Sequence, residues 1–159
     1  MKIGVLILYF NASRTILSCI ENCSQFADII YISYSKEPWS KYNPNARANH
    51  QNTSALSIIR TSKHFGKIKI IEGVWATEEE QRNEVVASAK ADQIDYLIIQ
   101  DPDEFYLPED YKMNIDEMIQ KPGFPFFYNP WIIFWRNLNY IVAILAQPGD
   151  CAPRFQFSF

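Results

Sequence analysis

The sequence predicts an α/β fold, with a largely parallel central sheet and flanking helices. Three observations carry that expectation. Apolar runs of strand length recur along the chain, segments of helical periodicity lie between them, and polar turn residues separate the two kinds of segment. Strands that alternate with helices in this way need crossover connections, which are right-handed and return each strand parallel to the last.

The first strand is the apolar run at residues 4–10, continuous enough to be covered on both faces. A helix follows over residues 15–27, where Ile16, Ile20, Cys23 and Ala27 recur at helical spacing and Ser13 or Asn11 is available as a cap. "DIIYISY" at 28–34 is the second strand and completes a βαβ unit. Residues 35–54, rich in Pro, Asn and Ser and without a period, read as a long functional or mobile loop.

A short helix over 55–64 and a third strand at 67–73 come next. "TEEE", Thr77 to Glu80, has the spacing of a capping box and opens a helix that runs to about Ala91. On it Arg82, Val85, Val86 and Ala89 share one face, so the guanidinium starts from the apolar side. Such an Arg either snorkels to a neighbouring acid or meets a bound anion. "DYLIIQ" at 95–100 is the fourth strand, followed by "LPEDY", a short helix near 115–120, the turn "KPGFP" and an aromatic segment at 126–142. No repeat or domain boundary interrupts the 159 residues, which suit one domain.

Composition narrows the function classes. A net charge of −3, with both signs mixed along the chain, leaves no basic footprint for a nucleic-acid backbone. Cys19, Cys23 and Cys151 lack metal-ligand spacing and read as small buried hydrophobes of an intracellular chain, and His50 and His64 stand apart from one another. The apolar start has no small-residue cleavage site and reads as a core strand rather than a signal peptide. "WIIFWRNLNYIVAILA" carries Arg136, Asn137 and Asn139 and falls short of the roughly 20 residues of a membrane span, so no transmembrane segment is expected. The expected location is the cytoplasm, with a peripheral position at a membrane left open by the aromatic segment.

"YLIIQDPDEFYLPED" ends an apolar run on closely spaced carboxylates, a costly grouping unless a cation or basic group compensates it. If the strand continues extended, Asp101 and Asp103 project to the same side and offer two hard oxygen donors, half a shell for Mg2+ or Mn2+. The plain alternative is a polar strand exit with an Asp-Pro turn.

The stretch from Val74 to Phe105, "QRN" on a helix before a strand that ends in "DPDEF", resembles the GT-A glycosyltransferases, particularly family-2-like bacterial enzymes. The likeness extends over residues 1–111. It implies a GT-A, Rossmann-like nucleotide-diphospho-sugar transferase fold in which Asp101 and Asp103 form a DxD motif holding Mn2+ or Mg2+ against the diphosphate of the donor. It also implies donor contacts from Asn11, Gln81, Arg82, Asn83 and Asp101. By the same likeness, the partners are a nucleotide-sugar donor and a carbohydrate or lipid-linked acceptor, and the reaction inverts.

The second strand ends in "SYSK", without the acid that commonly grips the nucleoside in that family. Carboxylates available as a catalytic base are Glu109, Asp110 and Asp150, although Glu109 and Asp110 read equally as solvated loop acids. Trp131 and Trp135 read either as walls of an acceptor pocket or as core. The brief region after the DxD strand leaves two functional readings: a glycosyltransferase whose C-terminal acceptor-binding part is truncated or minimal, and a non-catalytic nucleotide-sugar-binding or interaction domain derived from such an enzyme. A Mg2+-dependent phosphatase fits less well, because its acidic motif belongs on the first strand.

Overall fold

Ile3–Tyr9 (β1) offers almost no polar side chain to water, and such a strand belongs in the middle of a covered sheet. In the computed structural model, which describes residues 1–41 and 52–121 and the backbone of three short strands beyond them, β1 has a parallel neighbour on each side. One neighbour is β2 (Ile29–Ser35), with β3 (Ile68–Gly73) parallel outside it; the other is β4 (Tyr96–Ile99). The four form an all-parallel sheet in the order β3-β2-β1-β4. On the β4 side lies a short antiparallel strand, Phe157–Ser158, and Ile133–Phe134 pairs antiparallel with Ile141–Val142 in a separate ribbon.

Alternation along β1 assigns the two layers. Ile3, Val5, Ile7 and Tyr9 point to one face, where they meet α1 (Ile16–Cys23), Ile59 of α2 (Leu56–Arg60), and Tyr111 and Met118 of α4 (Pro108–Gln120). Leu6 points to the other face and packs with Val85 and Ala89 of α3 (Glu78–Ala91), together with Tyr31, Ile94, Leu97 and Ile99. Each fully buried Leu or Ile here removes apolar surface from water that stabilises the fold by about 1.5–3 kcal/mol. Gly4 lies where that second layer presses closest: a methyl group on it would meet Tyr31 at 3.0 Å and Leu97 at 3.1 Å.

Two aspartates fix the start of β1. Asp28 Oδ2 accepts from the Ile3 amide at 2.7 Å while the Asp28 amide donates to the Ile3 carbonyl, and Asp95 makes the equivalent pair of bonds to Lys2. Each acid immediately precedes a strand flanking β1, so the side chain extends the ladder at its amino edge.

Several expectations need correcting. The last described helix starts at Pro108, not near Ile115, because Pro at the first helical position loses no needed hydrogen bond and Glu109 and Asp110 suit the positive helix end. "LPEDY" is therefore helix start rather than loop. Thr77 caps α3 as expected, accepting from the Glu80 amide at 3.0 Å, but Glu80 reaches back to the Ala76 amide instead of Thr77. Neither Ser13 nor Asn11 caps α1; Thr15 holds that position without a side-chain capping bond, its hydroxyl donating back to the Ala12 carbonyl at 3.4 Å. Among the described residues, no helix is long and apolar enough to cross a membrane.

Candidate functional site

The crossovers change sides between β1 and β4. α1 and α2, which follow β1 and β2, lie on one face of the sheet; α3, which leads from β3 into β4, lies on the other. Adjacent parallel strands whose connections leave in opposite directions open a crevice at their carboxyl ends, where ligands of open α/β sheets collect. Phe10 and Asp101 follow these two strands, as the sequence predicts. Ile99 is level with Leu6, and the Gln100 amide still donates to the Leu6 carbonyl at 3.0 Å.

Asp101 and Asp103 do not extend the strand. β4 stops at Ile99, and residues 101–104 close a turn in which the Glu104 amide donates to the Asp101 carbonyl at 2.9 Å. Asp at the first position and Pro at the second suit that turn, since Pro102 has a preset φ and no amide to leave unpaired. The Glu104 carboxylate accepts from the Asp101 amide at 2.9 Å, so it braces the turn from within. Asp101 is half-buried and Asp103 exposed. The strand-exit alternative thus describes the backbone, and the same-side projection expected of an extended Asp-x-Asp does not apply.

A buried polar network anchors this turn from below. Gln100, wholly buried, donates to the Glu104 carbonyl at 2.8 Å and to Asn22 Oδ1 at 3.3 Å, and accepts from the Tyr111 hydroxyl. Asn22 on α1 exchanges bonds with the Tyr106 backbone at 2.8 and 3.0 Å. The Cys19 thiol donates to the Asp101 carbonyl at 3.6 Å. Burial, and then the charges of Cys23, Glu104, Asp101 and Asp103, push the Cys19 thiol far above its ordinary range. Burial likewise takes Cys23 up to about 12, so neither cysteine is a nucleophile.

Across the crevice, Asn11 adopts a left-handed backbone with φ 53°, a region Asn tolerates better than most residues. Its side-chain oxygen accepts from the Thr53 amide at 2.8 Å and hydroxyl at 3.0 Å. Asn52 in turn receives the Asn11 amide and donates to Ser35 O at 2.7 Å and Tyr9 O at 3.3 Å, joining the ends of β1 and β2. Asn11 is therefore part of a clasp that receives the chain returning from the long loop, of which residues 42–51 lie outside the described part.

The "QRN" residues separate. Gln81 is 1% exposed and spends both amide hydrogens on Ser33 O and Oγ, each at 3.0 Å, while its oxygen accepts from Trp39 Nε1 at 2.8 Å. The buried face of α3 is Gln81, Val85 and Ala89, with Arg82 half-buried beside it; its guanidinium pairs with the neighbouring acid Glu78 one turn earlier, leaving Nε buried without a partner. Asn83 is exposed on the outer side of α3. Glu109 and Asp110 are exposed in the first turn of α4. Asp150, Trp131 and Trp135 lie outside the described residues.

Asp101 and Asp103 suit a hard divalent cation by donor chemistry. Among the described residues no group of three or more His, Cys, Asp or Glu is positioned to hold a metal. Sequence reasoning did not single out Gln100, Asn22, Asn52 or Trp39. Gln100 is the one of these with a visible signal, a polar residue closing a buried apolar run.

The fold and site define a parallel α/β protein with an acidic turn at its strand-switch crevice. Neither the protein-family models nor the curated proteins compared with this chain match it.

Proposed function

We propose that the chain is a metal-dependent glycosyltransferase of GT-A type, passing a sugar from a nucleotide-sugar donor to a carbohydrate or lipid-linked acceptor. One observation carries the reading: the Asp101–Asp103 turn stands at the crevice between β1 and β4, where the parallel sheet reverses its crossovers. Asp101 and Asp103 would hold Mn2+ or Mg2+, which when bound neutralises charge growing on the leaving diphosphate. Glu104 keeps the turn closed by accepting from the Asp101 amide, and Gln100 ties that turn to the strand below. The clasp built on Asn11 and Asn52 forms the facing rim. Arg82, on α3, would serve a bound phosphate by exchanging Glu78 for that anion.

A non-catalytic nucleotide-sugar-binding domain is the second reading. It is favoured by the exposed positions of Glu109 and Asp110 in the first turn of a helix, where their charge serves the helix end. A panel of UDP-, GDP- and TDP-sugars with Mn2+ tests both. Binding at 100 times the dissociation constant raises stability by about 2.7 kcal/mol, readily seen as a thermal shift. Donor hydrolysis or transfer supports the enzyme; binding without turnover over a broad acceptor set supports the binding domain; no response to any donor removes both.

A further inference from the structure

Resting on the cation reading of the crevice, we propose that Gln100 is a positioning residue: with Asn22 on α1 and Tyr111 on α4 it fixes the shape of the Asp101–Glu104 turn, and with it the affinity for a metal diphosphate. The need arises because the acids lie on a turn. On an extended strand Asp101 and Asp103 would share a side by backbone geometry alone, whereas a turn presents them as its own shape dictates. Groups that hold a ligand have to keep their places to within about 0.5 Å, so a support beneath the turn must set that shape.

Two bonds close the turn from within, the Glu104 amide to the Asp101 carbonyl and the Asp101 amide to the Glu104 carboxylate, each at 2.9 Å. They do not orient it on the sheet. That is done by Gln100, wholly buried at the exit of β4, whose Nε2 donates across the base of the turn to the Glu104 carbonyl at 2.8 Å and sideways to Asn22 Oδ1 at 3.3 Å. The same Asn22 oxygen receives the Tyr106 amide at 3.0 Å, and Asn22 Nδ2 donates to the Tyr106 carbonyl at 2.8 Å, so the chain leaving the turn is held as well.

Tyr111 decides which way the Gln100 amide faces. Its hydroxyl donates to Gln100 Oε1, which leaves Nε2 toward the turn; a reversed amide would set its oxygen against the Glu104 carbonyl and Asn22 Oδ1. Strand, α1 and α4 therefore meet on one side chain, and the turn is shaped before anything binds. A ligand that arrives there orders no loop.

Calorimetric titration of the whole chain with manganese pyrophosphate tests this. Asn22→Ala removes the contacts to Gln100 and Tyr106 at a partly exposed helix position that Ala suits, and Tyr111→Phe removes the hydroxyl that orients the amide. Each should weaken binding about tenfold or more, as loss of an outer-shell partner does at metal sites. Tyr31→Phe is the control: it deletes a hydroxyl bonded to Asp92 at 2.8 Å in the opposite layer and should leave the affinity unchanged.

If Tyr111→Phe fails to fold, Asn22→Ala decides alone. Wild-type affinity in the variants overturns the positioning role and leaves the cation reading standing. An equal loss in Tyr31→Phe also overturns the role, because general loosening then explains the effect. No binding by the wild type, or binding that survives Asp103→Asn, removes the cation site and the positioning role together.

Discussion

The Tyr111 hydroxyl on α4 donates to the side-chain oxygen of Gln100 at the exit of β4, in a site closed to solvent. Tyr111→Phe keeps the ring, which stacks on Phe26 with centroids 4.7 Å apart, and removes only the donor. A buried amide oxygen then loses its partner, which costs about 1–3 kcal/mol. Urea denaturation should give a loss in that range with an unchanged slope. A loss below a few tenths of a kcal/mol would mean that the Gln100 oxygen finds another partner.

Asp103→Asn probes the cation site. Removing one negative charge from a turn that already holds Asp101 and Glu104 should leave the metal-free protein equally stable or slightly more stable. The same change should abolish Mn2+-dependent binding of nucleotide-sugars, because a neutral amide is a poor ligand for a hard cation. Thermal melts with and without Mn2+ and donor measure both. Unfolding on substitution, together with no wild-type response to Mn2+ and donor, would make the carboxylate structural.

Arg82 separates two roles by variant. Lys at this position keeps a charge for Glu78, and an i,i+4 pair on a helix contributes only about 0.3–0.5 kcal/mol, so stability should barely change. Nucleotide affinity should fall clearly, since the planar fork that grips phosphate is lost. Equal nucleotide affinity in wild type and Arg82→Lys would leave Arg82 as the partner of Glu78 alone.

Asp92, the C-cap of α3, gives a pH signature. The Lys69 ammonium at 2.6 Å, and then the Tyr31 hydroxyl at 2.8 Å, hold its carboxyl below the usual carboxylate range. A depressed folded pKa adds stability above the unfolded value near 3.8, and that stability is lost as pH falls through the folded value. The melting-temperature difference between wild type and Asp92→Asn should therefore be present at neutral pH and shrink below about pH 4. A difference that persists unchanged into strong acid would assign the effect to packing.

The middle of the sheet was legible because β1 and β4 are buried on both faces, and burial of that kind leaves continuous apolar runs such as Ile3–Tyr9 and Tyr96–Ile99. The caps were legible where they are local, as at Thr77. The course of the chain after Ile99 was not. An extended Asp-x-Asp and an Asp-Pro turn share one sequence, and the choice depends on Gln100, Asn22 and Tyr111, which meet only after distant segments have packed. Gln81 illustrates the same limit: its place on α3 follows from periodicity, whereas its bonds to Ser33 and Trp39 join residues 48 and 42 positions apart.

Strand order also bears on how the chain is made. β1 sits between β2 and β4, but β4 is synthesised last of the four parallel strands. Until residues 95–99 leave the ribosome, the growing sheet ends on β1, an apolar strand with one row of backbone donors and acceptors open to any other chain. The second half of the clamp at its amino end, from Asp95 to Lys2, arrives at the same moment. Chains interrupted between β3 and β4 should therefore aggregate through β1.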